Sequence, residues 1–184
     1  MPVPDRKQAG GPGSAAMVWG KTMKVSHSLL ALALGLAASP AAASDYVVIR
    51  KEILVDRPAD AVWQRVGGFC AIGEWLKTKC EIIAGKGGVG TVRQLNGTTT
   101  EPMVANTPLS YTYTQTAGGM AGFAYHGTLA VEWVAPKKSR IVYTLIYDAA
   151  LMSSDDVRRA QYTRINTRFQ GAIETMKALA EARK

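Results

Sequence analysis

Apolar and polar positions alternate along most of the chain between Tyr46 and Tyr147. Tyr46 to Asp56 sets Val47, Ile49, Ile53 and Val55 on one face, with Lys51 interrupting, and predicts a strand. Asp56-Arg57-Pro58-Ala59-Asp60 is a helix start, with acids at the positive dipole end, and the short helix it opens stops at Gly67-Gly68. Phe69 to Leu76 predicts a second short helix. Strands follow over Glu81–Ala84, Thr91–Leu95 and Thr98–Ala105, the last with Pro102 inside it, which implies an edge position or a bulge. After a turn at Asn106-Thr107-Pro108, Ser110–Thr116 puts Tyr111 and Tyr113 on one face. Phe123–Val134 predicts a long strand, and Arg140–Tyr147 aligns Ile141, Tyr143, Leu145 and Tyr147. From Asp155 to Arg183 the period changes to that of a helix, through Val157, Ile165, Phe169, Ala172, Ile173, Met176, Leu179 and Ala180. Ser153-Ser154 can cap this helix, which at its length spans roughly 40 Å.

The order is a strand, two short helices, about six meandering antiparallel strands and one long helix. A single helix laid along one face of a curved sheet buries both apolar faces. A pocket between the two layers is the expected by-product.

A different pattern precedes this domain. Lys24 is followed by an apolar run from Leu29 to Ala38 and by Ala41-Ala42-Ala43. A positive start, a short apolar stretch and small residues at the end make residues 23–43 a secretory signal peptide with cleavage after Ala43. A span across a bilayer needs about 20 apolar residues, more than this run supplies. Residues 1–22 form a Gly-, Pro- and Ala-rich extension, and Met23 or Met17 is a candidate start. The expected product is exported, periplasmic rather than fully secreted, and comprises one domain, residues 44–184.

The chain has 22 Lys and Arg against 14 Asp and Glu. Residues 1–43 hold four of the basic residues and one acidic, so the mature part keeps 18 basic and 13 acidic, a net +5. Such a balance suits acidic ligands or weak contact with anionic membrane surfaces. The basic residues are dispersed, beyond pairs such as Lys137-Lys138 and Arg158-Arg159, which argues against nucleic acid as a partner. Cys70 and Cys80 either pair in an exported protein or remain two buried thiols. One histidine and two cysteines in the mature part make no zinc set, and no motif calls for a metal or another cofactor. Gly85 to Gly90 joins two strands and lacks the strand–loop–helix setting of a phosphate cradle. The oligomeric state leaves no mark in the sequence.

Several stretches together resemble a known family. They are the opening strand with Pro58-Ala59-Asp60-Ala61-Val62-Trp63, the two-helix stretch ending Gly73-Glu74-Trp75-Leu76, then Gly88-Val89-Gly90-Thr91-Val92-Arg93, Glu101, and the long closing helix. This set resembles the START / birch-pollen-allergen (SRPBCC) superfamily and, within it, the polyketide cyclase/dehydrase and lipid-transport branch, over residues 46–183. The resemblance implies an α+β helix-grip fold, a curved antiparallel sheet wrapped around the C-terminal helix. It also implies a cavity for a small hydrophobic or amphipathic molecule. The superfamily holds carriers and enzymes alike, so the fold does not settle the function.

Candidate lining residues follow from parity. If Trp133 faces the helix, period two puts Tyr125, Leu129 and Val131 with it, pairs Tyr111 with Tyr113, and pairs Tyr143 with Tyr147. The closing helix adds Gln161, Ile165 and Phe169, and the two-helix stretch adds Trp75. These side chains either line a ligand pocket with phenol handles or pack as an ordinary core. Arg93 and Glu101 resemble the family's inward basic and acidic positions; they either anchor a ligand or are surface charges on a sheet edge. His126 falls on the opposite, wet face. No nucleophile motif and no paired catalytic carboxylates are present. The leading expectation is a binder or carrier of a lipid, polyketide-like or aromatic molecule. The alternative is a metal-independent cyclase or dehydratase using tyrosine hydroxyls, Glu101 or His126.

Overall fold

The computed structural model describes residues 43–182. The extension assigned to 1–22 and the signal segment assigned to 23–43 lie outside the described residues, apart from Ala43. Seven strands and three α-helices run in the order β1 (Tyr46–Val55), α1 (Ala59–Val66), α2 (Ile72–Trp75), β2 (Cys80–Ala84), β3 (Val92–Leu95), β4 (Thr99–Thr107), β5 (Ser110–Thr114), β6 (His126–Ala135), β7 (Lys138–Asp148) and α3 (Asp155–Glu181). A 3-10 turn at Ala149–Leu151 links β7 to α3. The strands form one curved, open antiparallel sheet in the order β1-β7-β6-β5-β4-β3-β2. α3 lies on its concave face against β1 and β7, and also touches α1 and α2. This is the α+β helix-grip arrangement.

The local chemistry explains the elements. Ser154 caps α3, its Oγ accepting the Val157 N–H at 3.3 Å, with Asp155 and Asp156 in the first turn. Such a cap contributes about 1 kcal/mol. The buried stripe of α3 is Ile165, Phe169, Ala172, Ile173, Met176 and Ala180, while Val157 at its start is exposed. β1 alternates as expected, with Ile49 and Val55 buried and its even-numbered residues exposed.

Several boundaries differ from the sequence expectation: α2 is confined to Ile72–Trp75 within the expected Phe69–Leu76, and β5 ends at Thr114 rather than Thr116. β6 starts at His126 rather than Phe123, because Ala124 at φ 49° and Gly122 at φ 86° bend the chain into a turn just before it. β4 runs on to Thr107, so the turn to β5 is only Pro108-Leu109. β7 likewise begins at Lys138, inside the predicted turn. Pro102 does mark an irregularity: the β4–β5 ladder shifts register between Met103 and Ala105. Glu101 nonetheless stays inward and buried.

Cys70 and Cys80 are joined in a disulfide. The bridge ties the segment that carries α2 to the start of β2. Among the described residues no helix is long and apolar enough to cross a membrane.

Candidate functional site

Arg93 and Glu101 are direct cross-strand partners on β3 and β4, and both point into the concave face. Arg93 is fully buried. Its Nε donates to Glu101 Oε2 at 2.7 Å, its Nη2 lies 2.7 Å from the same oxygen, and its Nη1 donates to the Phe69 carbonyl at 2.6 Å. The guanidinium sits 4.3 Å from the centre of the Phe69 ring and 4.4 Å from that of Tyr113. Burial opposes its charge, but the Tyr111 and Glu101 oxygens around it outweigh that, so Arg93 remains a cation. The pair is therefore a core feature and not a sheet-edge decoration.

The network continues outward. Gln115 donates through Nε2 to Glu101 Oε1 at 3.0 Å and accepts the Met120 N–H at 2.6 Å. Gln161 of α3 reaches the Met120 sulfur from the other side. Met120 is thus clamped between sheet and helix at the tip of the glycine-rich loop before β6. Gly118 takes φ 108° there, and a Cβ would lie 2.7 Å from Thr99 Oγ1, so the loop's path depends on glycine.

A second cluster is made of phenols. Tyr113 Oη lies 2.9 Å from Tyr143 Oη and 3.3 Å from Tyr125 Oη. Tyr113 faces Gly127 on β6, and its ring covers that glycine so closely that a Cβ would approach the hydroxyl to 2.4 Å. Burial raises the pKa of Tyr111, Tyr113, Tyr125 and Tyr143 alike, so all four hydroxyls keep their protons at neutral pH. Three hydroxyls bring three protons to the two contacts around Tyr113. One proton in the trio is left to point elsewhere.

Between these groups and α3 lies a cavity of about 160 Å³. Ile72, Leu76, Leu95, Ile165 and Phe169 form its apolar wall. Glu101, Tyr113, Gln115 and Tyr125 form its polar side; Thr78, Asn96, Thr99, Gly119 and Met120, with Arg164 and Arg168 of α3, complete the lining. Of the residues expected at the pocket, Glu101, Tyr113, Tyr125, Ile165 and Phe169 reach it. Trp75, Arg93, Tyr111, Leu129 and Tyr143 are buried one layer behind the wall. Trp75, for example, donates its Nε1–H to the Val66 carbonyl and packs edge-on against Tyr143. Gln161 is half-buried and acts on Met120 instead. Trp133 corrects the expectation: it is 68% exposed. The alternation of burial ends at Val131, and the β6–β7 ladder shifts between Trp133 and Ala135, so inward parity no longer means burial there. His126 is exposed on the outer side, as its parity implies.

Sequence reasoning missed Gln115, Leu95, Thr99 and Arg168. Gln115 lies one residue beyond β5, where period two no longer applies, and Arg168 reads as an ordinary solvated helix charge.

Comparison with known proteins places this architecture. No curated protein matches the sequence. Solved structures match in fold. An aromatase/cyclase from a Streptomyces species superposes with a TM-score of 0.60 at 18% identity, covering 74% of this chain and 94% of that one. A truncated norcoclaurine synthase from Thalictrum flavum gives 0.60 at 19% identity, covering 77% and 98%. A protein from Thermobifida fusca gives 0.57 at 22% identity, covering 73% and 91%. Residues 46–181 also match the family described as polyketide cyclase / dehydrase and lipid transport. With that match spanning most of its length, this chain belongs to the polyketide cyclase/dehydrase and lipid-transport family of the SRPBCC superfamily.

Proposed function

We propose that the protein is an exported binder or carrier of a small hydrophobic or amphipathic molecule, held in the cavity between the sheet and α3. The observation that carries this reading is the cavity's construction. An apolar wall faces a polar side whose groups are held in fixed geometry by the Arg93–Glu101–Gln115 network and the tyrosine trio. Apolar surface supplies affinity, and a few placed polar groups supply orientation. The Cys70–Cys80 disulfide supports an oxidising, periplasmic compartment.

The alternative is a cyclase or dehydratase acting in the same cavity, and the unspent phenol proton favours it as a donor to a carbonyl. The main acid/base candidates are poorly placed for that chemistry. Both oxygens of Glu101 already accept hydrogen bonds, and His126 lies outside the cavity.

Native mass spectrometry of the protein purified gently from its producing cell tests the reading. A small organic mass that vanishes on denaturation, and is missing from Ile165→Phe, is the expected result. Retention of that mass by Ile165→Phe would place the ligand elsewhere. Steady conversion of a supplied ketide or aromatic substrate would move the protein to the enzymatic class.

A further inference from the structure

The cavity's charge inventory identifies the ligand class more narrowly. Three charged side chains line it: Glu101, Arg164 and Arg168. Glu101 is already neutralised by Arg93. The tyrosines are neutral. The cavity therefore carries two positive charges at its solvent-exposed rim, and among the described residues no carboxylate lies within ion-pair distance of either arginine. Arg164 and Arg168 stand four residues apart on one helix face, an arrangement in which like charges repel. An anion between them would relieve that repulsion, and two guanidinium forks suit a carboxylate.

Size sets the second limit. A cavity of about 160 Å³ is small beside the 300 Å³ or more typical of drug-sized ligand sites. It is close to the roughly 150 Å³ apolar cavity known to accept a benzene ring. A long acyl chain would extend beyond this volume into solvent.

We propose that the ligand is a single-ring aromatic carboxylate, its ring against Leu76, Leu95, Ile165 and Phe169 and its carboxylate on Arg164 and Arg168. This rests on the cavity being the ligand site. Arg164 also donates through Nε to Gln161 at 3.2 Å, and Gln161 touches Met120, so the anion's partner is linked to the loop beside the cavity.

Calorimetric titration of the full chain with benzoate, benzyl alcohol and laurate tests this. The variants are Arg164→Gln and Arg168→Gln, which change exposed residues at the cavity rim and keep helix propensity, and Ile165→Phe and Leu95→Phe, which fill the cavity. Benzoate should bind one to one, at least about tenfold tighter than benzyl alcohol. Each arginine variant should weaken it by about tenfold, the scale of one charge-assisted contact. Equal binding of benzyl alcohol, untouched by the arginine variants but lost on filling the cavity, would overturn the anion assignment and leave the cavity reading intact. Binding of laurate in place of benzoate would overturn the ring assignment. Benzoate binding that survives both cavity-filling variants would overturn this inference and the cavity reading together.

Discussion

Arg93 concentrates the cost and the specificity of this core. Moving a guanidinium and a carboxylate out of water costs several kcal/mol each, and the mutual attraction repays that only with good geometry. Here the geometry is good: Glu101, the Phe69 carbonyl and two aromatic faces surround the cation. The consequence is asymmetric. Glu101→Gln leaves a buried cation without its countercharge and should cost about 3–5 kcal/mol, a large share of a typical domain's stability. Arg93→Met combined with Glu101→Leu removes both charges and should restore most of that loss. Urea unfolding of Arg93→Met, Glu101→Leu and the double variant, beside Glu101→Gln, measures the coupling. A Glu101→Gln variant within about 1 kcal/mol of the parent would show that the pair contributes little, as exposed pairs do.

At the scale of elements, the disulfide-bound segment from Cys70 to Cys80 does more than close a loop. It carries Ile72, Leu76 and Thr78, three residues of the cavity wall, in and just after a four-residue helix too short to hold itself. The Cys70→Ser, Cys80→Ser double variant should lose about 3 kcal/mol on the chain-entropy account of a loop of this length. It should also weaken ligand binding more than it perturbs the sheet. Thermal melting with and without reductant, beside a binding titration, separates the two effects; an unchanged melting temperature would show that packing alone fixes the segment. Elements were also the level at which the sequence was most legible. Period-two alternation and the glycine-marked turns between them found all seven strands, and the switch to helical spacing found α3 within two residues of its observed end. What escaped was irregular backbone. The turn at Gly122–Ala124 displaced the start of β6, and Trp133, though still paired in register with Ser139, lies beyond Val131, where the burial of β6 ends. Parity also says which side chains point inward but not how deep they lie. Tyr113 and Tyr125 reach the cavity while Tyr111 and Tyr143 stop behind it, and the placement of α3 and the 69–76 segment decides which.

Five phenols are buried among the described residues, and the four clustered beside Arg93 and the cavity make stability depend on alkaline pH. Tyr111, Tyr113, Tyr125 and Tyr143 all have pKa values raised by burial, and the protonated hydroxyls of Tyr113, Tyr125 and Tyr143 supply the bonds between β5, β7 and the Tyr125 turn. The sign follows from linkage. Below about pH 10 these phenols are protonated in both the folded and the unfolded chain, and their contribution is fully present. Above that pH the unfolded chain releases protons that the folded chain keeps, so stability falls as pH rises toward the folded-state values. Each such phenol steepens the fall by about 1.4 kcal/mol per pH unit, and four acting together amount to a sharp alkaline transition. Urea midpoints measured between about pH 8 and pH 12 should drop steeply above pH 10. Tyrosinate absorbance from these four residues should appear only together with loss of the folded circular-dichroism signal. Replacing Tyr125 by Phe should make the decline shallower, because one proton is removed from the linkage, even though the variant also loses a hydrogen bond at neutral pH. Full tyrosinate absorbance while the fold remains intact would mean that water reaches these hydroxyls, and that the interior is more open than its packing implies.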